Sequence, residues 1–331
     1  MTSYIARRLL YMVVSFFILT VVVWTIIQLP PGDFLERYVT NLARYQGGSF
    51  SDAELAALRV SFGLDGSQVE RYLRWLGRFL RGDLGMSMEW GGGYPVKKLL
   101  SERLPYTVLI SLTTLVFAYA VAIPAGIYSA TRQYTMGDYA ISIVGFLGMA
   151  TPSFMLALVL LYLFLKYFGI SAGGLFSPGY AMAPWSPGKV WDLVKHLWVP
   201  VIVVGTAATA GTIRVMRGVL LDELGQQYVI TARAKGLSER KLLFKYPVRL
   251  ALNPIVSTIG WQLPAIVSGE TVVSIVLNLP TTGPLIYQSL RSQDMFMAAS
   301  IIMLLSILTM IGTLISDLLL VTVDPRIRFE R

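Results

Sequence analysis

The residue types that usually carry catalysis or metal binding are scarce in this sequence. It has no cysteine and one histidine, His196, beside Lys195. A disulfide, a thiolate site and a cysteine nucleophile are therefore excluded, and a lone histidine without a second ligand nearby predicts no metal site. A lysine follows a glycine at Gly188-Lys189, but Val190 stands where a phosphate-binding loop needs Ser or Thr. The chain is not expected to bind a nucleotide or to be an enzyme.

The most basic stretch of the sequence runs from Tyr228 to Lys241, and we call it the elbow. Gly236 predicts a helix that ends in a left-handed residue. Ser238 and Glu239 then predict the start of a second helix. Two short helices joined at a glycine are suited to docking against another protein, which is the function we expect here.

Three small residues of the elbow, Ala232, Ala234 and Gly236, stand where close approach of another backbone requires them. The alternative interpretation is that this basic loop only fixes the membrane topology.

Composition places these residues in a membrane protein. Hydrophobic residues make up 55% of the 331 and charged residues 14%, against about 25% charged in soluble domains. The formal net charge is +9, but the basic residues flank apolar runs, so membrane topology explains them better than nucleic acid does. We expect a multi-pass protein of the cell membrane, with lipid as a partner and no nucleic acid.

Six predominantly apolar runs, all but the last without a charged residue, are near the length of about 20 residues that crosses a bilayer. The predicted spans are Leu9–Leu29, Leu104–Thr131, Tyr139–Leu165, Leu197–Ile213, Leu250–Gly269 and Met295–Val323. Pro152 inside the third span predicts a kink. The fold expected from these runs is all-α with six transmembrane helices.

Charge predicts the orientation of the spans. The loop 214–250 carries eight basic and three acidic residues, which favours the cytosolic side. Arg7 and Arg8 favour a cytosolic N-terminus as well. The predicted organisation has four parts: 1–33, a cytosolic tip and the first span; 34–103, an extracytoplasmic segment; 104–323, a core of five spans with the cytosolic loop 214–250; and 324–331, a cytosolic tail.

The outer segment contains a predicted amphipathic helix. Apolar residues recur at helical spacing at Val69, Tyr72, Leu73, Leu76, Phe79 and Leu80, with arginines around the remaining arc. Two interpretations remain open. The helix lies on the outer leaflet or a partner, or it packs on the ends of the chain's own spans.

One acid is predicted near membrane depth. Glu270 follows twenty uncharged residues, and such acids usually face a bundle interior or a water-filled cavity. The alternatives are a position at the headgroup boundary or pairing with a partner subunit. Gln262 is expected to share its helical face, and both Gln262 and Trp261 are weaker candidates for a transport pathway.

Further motifs along essentially the whole length of the chain resemble those of a known protein family. They are Arg7-Arg8-Leu9-Leu10, Leu29-Pro30-Pro31-Gly32-Asp33, Phe62-Gly63-Leu64-Asp65, Arg71-Tyr72-Leu73-Arg74-Trp75-Leu76, Arg81-Gly82-Asp83-Leu84-Gly85, Glu102-Arg103-Leu104-Pro105, Thr231-Ala232-Arg233-Ala234-Lys235-Gly236-Leu237 and Asp324-Pro325-Arg326-Ile327-Arg328. In this order the chain resembles the first permease of the oligopeptide, dipeptide, opine and nickel group of ATP-binding-cassette importers.

The resemblance implies a type I importer permease (MetI-like) fold with an extended outer segment after the first span. It implies a second, homologous permease, two ATPase subunits that bind ATP and Mg, and an extracytoplasmic solute-binding protein. The chain itself would hold no cofactor. Coupling to the ATPase is expected of the residues Tyr228, Thr231, Ala232, Arg233, Ala234, Lys235, Gly236 and Leu237.

Two positions depart from the group's pattern. Ile230 stands where the general motif has a glutamate, and Ser274 stands where many relatives have one before a Pro-Gly-x-Gly turn. The turn here is Pro280-Thr281-Thr282-Gly283. Ser274 therefore joins Trp261, Gln262 and Glu270 as a candidate pathway residue. Oligopeptides are the expected substrate, and oligosaccharides are the alternative.

Other functional classes are less well supported by the sequence. A secondary transporter is expected to carry more intramembrane ionisable residues and an inverted repeat. An intramembrane hydrolase needs a Ser–His pair or paired acids within the spans. A purely structural membrane subunit remains an alternative.

Overall fold

The computed structural model describes residues 2–29, 35, 51–61, 63–87 and 94–323. For 2–5, 52, 61, 261, 263–269 and 321–323 it describes the backbone alone. The predicted tail, 324–331, the exit Pro30–Asp33 from the first span and most of 34–50 lie outside the described residues.

The described residues are mostly helical. The helices are α1 Thr2–Gln28, α2 Asp52–Ser61, α3 Gln68–Leu80, α4 Val96–Thr131, α5 Met136–Ala150, α6 Ser153–Phe168, α7 Pro178–Ala181, α8 Pro187–Leu224, α9 Gln227–Ala234, α10 Glu239–Lys245, α11 Pro247–Val276, α12 Thr282–Ser292 and α13 Met295–Val323. Two short antiparallel strands, β1 Met86–Ser87 and β2 Tyr94–Pro95, precede α4. The chain divides into two compact units, one of residues 2–106 and 281–307 and the other of 107–280 and 308–331.

The unit of residues 2–106 and 281–307 settles the position of the amphipathic helix. Trp75 and Phe79 of α3 pack against Val23 and Trp24 of α1 and against Met303 of α13. The Tyr72 hydroxyl also lies 2.8 Å from the Thr20 hydroxyl. The interpretation that this helix packs on the chain's own spans is therefore confirmed. The Ser67 hydroxyl and the Glu70 carboxylate form a capping box that starts α3.

An acid that sequence reasoning passed over starts α13 in the same unit. Asp294 is buried, and its carboxylate accepts from the Met297 backbone N–H at 3.1 Å, as a helix cap does. Its other oxygen accepts from the Ser87 hydroxyl at 2.6 Å. The cap therefore also ties the β1 strand to the helix.

In the unit of residues 107–280 and 308–331, α8 is the central element. It packs against α5, α6 and α11. Met216 and Leu220 of α8 are buried with Ala251 and Ile255 of α11. Small residues bring the helices close, since a Cβ built on Gly148 of α5 would lie 2.9 Å from the Thr206 methyl.

The bounds of α8 correct the predicted fourth span. Leu197–Ile213 was expected to be helical between loops, but the helix begins at Pro187 and continues to Leu224. The Ser186 hydroxyl caps it, with proline at the first helical position. No proline occurs between Ile213 and Gly225, and the single glycine, Gly218, is tolerated, so 214–224 of the predicted cytosolic loop continues the helix.

Pro152 does more than kink the predicted third span. The helix α5 ends at Ala150, α6 begins at Ser153, and the two are bent by 101°. Proline disfavours the helical conformation of the preceding residue, and Thr151 is extended, with φ −87° and ψ 119°.

Several helices are long and apolar enough to cross a membrane. Among the described residues they are Ala6–Gln28, Val96–Thr131, Pro187–Leu224 and Met295–Leu320, and the bent pair α5–α6 makes a fifth if it is one span. A multi-pass membrane protein is therefore supported. The six spans expected from the sequence remain a prediction.

One close helix contact yields a test of the packing. A Cβ on Gly260 of α11 would lie 2.7 Å from the Thr313 Cα of α13, where backbone cannot yield. We expect Gly260→Ala to lower the free energy of unfolding by about 1–3 kcal/mol. Gly211→Ala is the control, because no atom lies within 4 Å of its Cβ. Thermal unfolding in detergent measures the stability of both variants. Equal unfolding midpoints for Gly260→Ala and Gly211→Ala would refute the contact.

Candidate functional site

The elbow has the backbone that the sequence predicts. The helix α9 ends at Ala234, and Gly236 is left-handed with φ 79°. The Gly236 N–H donates to the Arg233 carbonyl at 3.0 Å, and the Leu237 N–H donates to the Ala232 carbonyl at 3.3 Å. This pair of bonds is a Schellman motif, which satisfies the last carbonyls of α9. Ser238 occupies the cap position of α10, but its side chain makes no capping hydrogen bond.

Buried apolar side chains attach the elbow to the rest of its unit. Val229 of α9 and Leu242 of α10 are both fully buried, and α10 packs against α9 and α11. The Tyr228 hydroxyl donates to a Glu223 carboxylate oxygen at 2.5 Å. Burial and this bond to the carboxylate raise the pKa of Tyr228 above its ordinary value. The phenol therefore stays protonated and keeps donating.

An ion pair bridges the two helices of the elbow. Arg233 donates through Nε to Oε1 of Glu239 at 2.6 Å and through Nη2 to Oε2 at 3.1 Å. Bidentate geometry is the favourable arrangement for an arginine–carboxylate pair. Together with the Schellman motif, it fixes the angle between α9 and α10.

The remaining face of the elbow is open. Ile230 is 48% exposed and Phe244 is 55% exposed. Thr231, Arg233, Ala234, Lys235 and Gly236 are also exposed, whereas Tyr228, Ala232 and Leu237 are half-buried. A rigid element that shows apolar, small and basic residues is suited to insertion into a groove of another protein. The departure at Ile230 therefore places an apolar side chain, and no charge, on this face.

The Arg233–Glu239 pair predicts a pH dependence. The hydrogen bond from Arg233 lowers the pKa of Glu239. The contribution of the ion pair to the stability of the elbow is therefore complete above the ordinary glutamate pKa. It is lost as pH falls through the lowered pKa of Glu239. We expect Glu239→Gln to speed amide exchange at 236–238 by roughly two-fold at pH 7, since the pair is exposed.

That difference should shrink as pH approaches the lowered pKa of Glu239. Arg233→Gln is the matched control, and the double variant should add nothing to either single change. A difference that persists unchanged at acidic pH would contradict the assignment.

The candidate pathway residues lie on α11. Glu270 is 1% exposed, and the Ser274 hydroxyl donates to its Oε1 at 3.2 Å. Glu270 is therefore buried inside its unit, in contact with Ser274 one turn further along α11. Gln262 is half-buried, and the structure gives its Oε1 no hydrogen-bond partner among the described residues. The side chain of Trp261 lies outside the described part of the chain.

Sequence reasoning missed a buried polar junction of three helices. Arg217 of α8 donates from Nε and Nη2 to the two carboxylate oxygens of Asp138, each at 2.9 Å. Ser129 of α4 also donates to that carboxylate. Asp138 lies in the first turn of α5 and Ser129 in the last turn of α4, so the junction joins these two helix ends to α8. The one local signal for this junction was that Asp138 stands three residues after Thr135, which caps α5.

A family model decides which group this arrangement belongs to. The model described as "Binding-protein-dependent transport system inner membrane component" matches residues 122–329. The chain belongs to this family. The match spans the elbow and the buried junction.

Relatives of this inner membrane component match over the full length of the chain. The oligopeptide transport system permease protein AppB of Bacillus subtilis is 33% identical over 330 residues, 99% of this chain and 100% of AppB. A putative peptide permease protein of Brucella ovis is 32% identical over 332 residues, 99% of each chain.

A solved structure described as inward facing conformations of the MetNI methionine ABC transporter matches this inner membrane component with a TM-score of 0.53. The identity is 16%, and the match covers 68% of this chain and 96% of that chain. The likeness concerns the fold, which is a mostly helical, MetI-like one.

Proposed function

We propose that this chain is a transmembrane permease subunit of an ATP-driven importer and forms half of its translocation pathway. The observation that carries the proposal is the elbow. It is open on one face and lies between α8, which is long and apolar enough to cross a membrane, and the 30-residue helix α11. The chain belongs to a family named for binding-protein-dependent transport. ATP hydrolysis would then belong to separate ATPase subunits that hold the nucleotide and Mg.

The proposed topology has six spans with both termini in the cytosol. Five are the apolar helices and the bent pair already described. The sixth is α11, whose 30 residues are about 45 Å long, against about 30 Å of hydrocarbon. The basic residues of 214–250 support a cytosolic elbow, and the helix α12, of 11 residues, is too short to span.

The family, named for binding-protein-dependent transport, supports the proposed partners. A second, homologous permease completes the pathway, two ATPases dock on the cytosolic side, and a solute-binding protein delivers substrate from outside. Movement of the ATPases on the elbow would be transmitted to α8 and α11, the helices joined directly to it.

Oligopeptides are the proposed substrate. Their support is that AppB is an oligopeptide transport permease and that the Brucella ovis relative is a putative peptide permease. In the pathway, Glu270 and Ser274 of α11 are proposed to offer the negative charge and hydroxyl that a peptide's amino end requires. Gln262 and Trp261 lie on the same helix and are proposed to contribute to the lining.

Co-purification tests the proposed assembly. Tagged chain, co-expressed with ATPase and second-permease candidates from its own genome, should retain both ATPases. Hydrolysis by the complex should then rise with loaded solute-binding protein. A panel of oligopeptides and oligosaccharides identifies the substrate class. A chain that purifies folded, without any ATPase, would contradict the proposal.

A further inference from the structure

A groove lies between α5 and α8. Its volume is about 360 Å³. One wall is formed by Ile141, Gly145 and Met149 of α5, and the other by Ile213, Arg214 and Gly218 of α8. We call it the α5–α8 groove. Most of its lining is apolar, with arginine on one wall.

Arg214 gives the groove an uncompensated positive charge. Its side chain is exposed, and its guanidinium carbon lies 6.0 Å from the centre of the Phe146 ring. No acidic side chain pairs with it in the described part of the chain. The next arginine along α8 differs, since Arg217 is held by both carboxylate oxygens of Asp138 at 2.9 Å.

The groove has exposed apolar side chains of its own. Phe146 and Met149 of α5 line it and are 60% and 48% exposed. An apolar surface of this kind on a membrane helix is suited to acyl chains, which makes the exposed Arg214 guanidinium beside Phe146 unusual.

The position of Arg214 along α8 matches a headgroup boundary. The seventeen residues from Leu197 to Ile213 carry no charge and occupy about 26 Å of helix, close to the hydrocarbon thickness of about 30 Å. Exposed Trp198 stands at the start of this run, and tryptophan favours the membrane interface. In the topology proposed above, Arg214 is therefore at the cytosolic edge of the hydrocarbon.

We propose that the α5–α8 groove binds an anionic phospholipid of the cytoplasmic leaflet. Its phosphate is held by Arg214, whose planar guanidinium suits phosphate oxygens. One acyl chain lies along Ile141, Gly145 and Met149. Basic pockets between membrane helices on the cytoplasmic side bind anionic headgroups in this way. The inference rests on the proposed topology but not on the identity of the transported substrate.

Two glycines make the groove testable without disturbing its charge. No atom lies within 4 Å of a Cβ built on Gly145, so a larger side chain there fills the groove and meets no backbone. Gly211 of α8 has the same free space and does not line the groove. Gly145→Leu is therefore the blocking variant, and Gly211→Leu is its matched control.

The experiment uses the whole complex in nanodiscs of phosphatidylcholine. The probe is a phosphatidylglycerol with a photoreactive diazirine on its acyl chain, and mass spectrometry maps the labelled peptides. We expect labelling of the α5 and α8 segments around 141–149 and 210–218. Arg214→Gln should weaken it about five-fold. Gly145→Leu should reduce it at least as much, and Gly211→Leu should leave it unchanged.

Three outcomes would overturn the proposal. These are no label in the two segments, equal label in the Gly145→Leu and Gly211→Leu variants, and equal labelling by a phosphatidylcholine probe that Arg214→Gln does not change. ATPase retention is measured on the same preparations. Its loss in the wild type would refute the proposed function, whereas loss of labelling with ATPase retained refutes only the lipid site.

Discussion

Gly236→Pro is expected to reduce retention of the ATPase subunits at least about ten-fold. Proline holds φ near −65° and has no N–H, whereas Gly236 requires φ 79° and donates to the Arg233 carbonyl at 3.0 Å. The substitution therefore removes the turn and the hydrogen bond together. A cost of about 3 kcal/mol in forming the docked geometry makes a loss of this size a conservative expectation.

Gly236→Asn is the matched control for the proline variant. Asparagine tolerates the left-handed region, keeps its N–H, and would have no atom within 4 Å of its Cβ. We expect its ATPase retention to stay within about two-fold of wild type, since asparagine is the other residue commonly found at this left-handed position. If the proline and asparagine variants both insert and retain the ATPase equally, the elbow is not the docking element.

Arg217→Gln is expected to cause the largest loss of stability. The Asp138 side chain is 3% exposed, and both its carboxylate oxygens accept from Arg217. Removing the guanidinium leaves a buried carboxylate without its counter-charge. Breaking such a pair from one side costs about 3–5 kcal/mol. Thermal unfolding of the purified complex measures the change.

Two further variants separate the pair from a general effect of charge. The double replacement Asp138→Leu with Arg217→Met should recover at least about half of the loss, because apolar replacement of a buried pair is often neutral. Arg214→Gln, one turn away and without an acidic partner in the described residues, should leave the unfolding midpoint unchanged. A loss as large for Arg214→Gln as for Arg217→Gln would contradict the account.

Local signals explain which parts of the fold the sequence predicts. Gly236 predicts the end of α9, and the apolar spacing of 69–80 predicts α3. Both signals are local, because each depends only on residues close together in the sequence. Glu270 and Ser274 are four residues apart on one helix, a spacing that allows the contact the structure shows, although the two residues were predicted separately from the sequence. The wrong bounds of α8 came from placing its ends at the first charges, whereas Ser186-Pro187 was a start signal.

Long-range partners explain what the sequence does not predict. Arg217 and Asp138 are 79 residues apart, and Ser87 and Asp294 are 207 apart. Each pair forms only once its helices have packed, and many other basic or hydroxyl side chains were equally eligible by sequence. The angle of 101° at Pro152 is likewise set by packing, since proline predicts that a helix is disturbed and not how far it turns.

ATP-dependent uptake into proteoliposomes tests the central claim most directly. The complex is inserted so that the elbow faces the medium that contains ATP, and the loaded solute-binding protein is on the opposite side. Its uptake is compared with that of a complex that carries Gly236→Pro. Oligopeptide should cross toward the ATP side only with hydrolysable ATP, and the variant should transport little. Transport driven by a proton or sodium gradient without any ATPase would contradict the account.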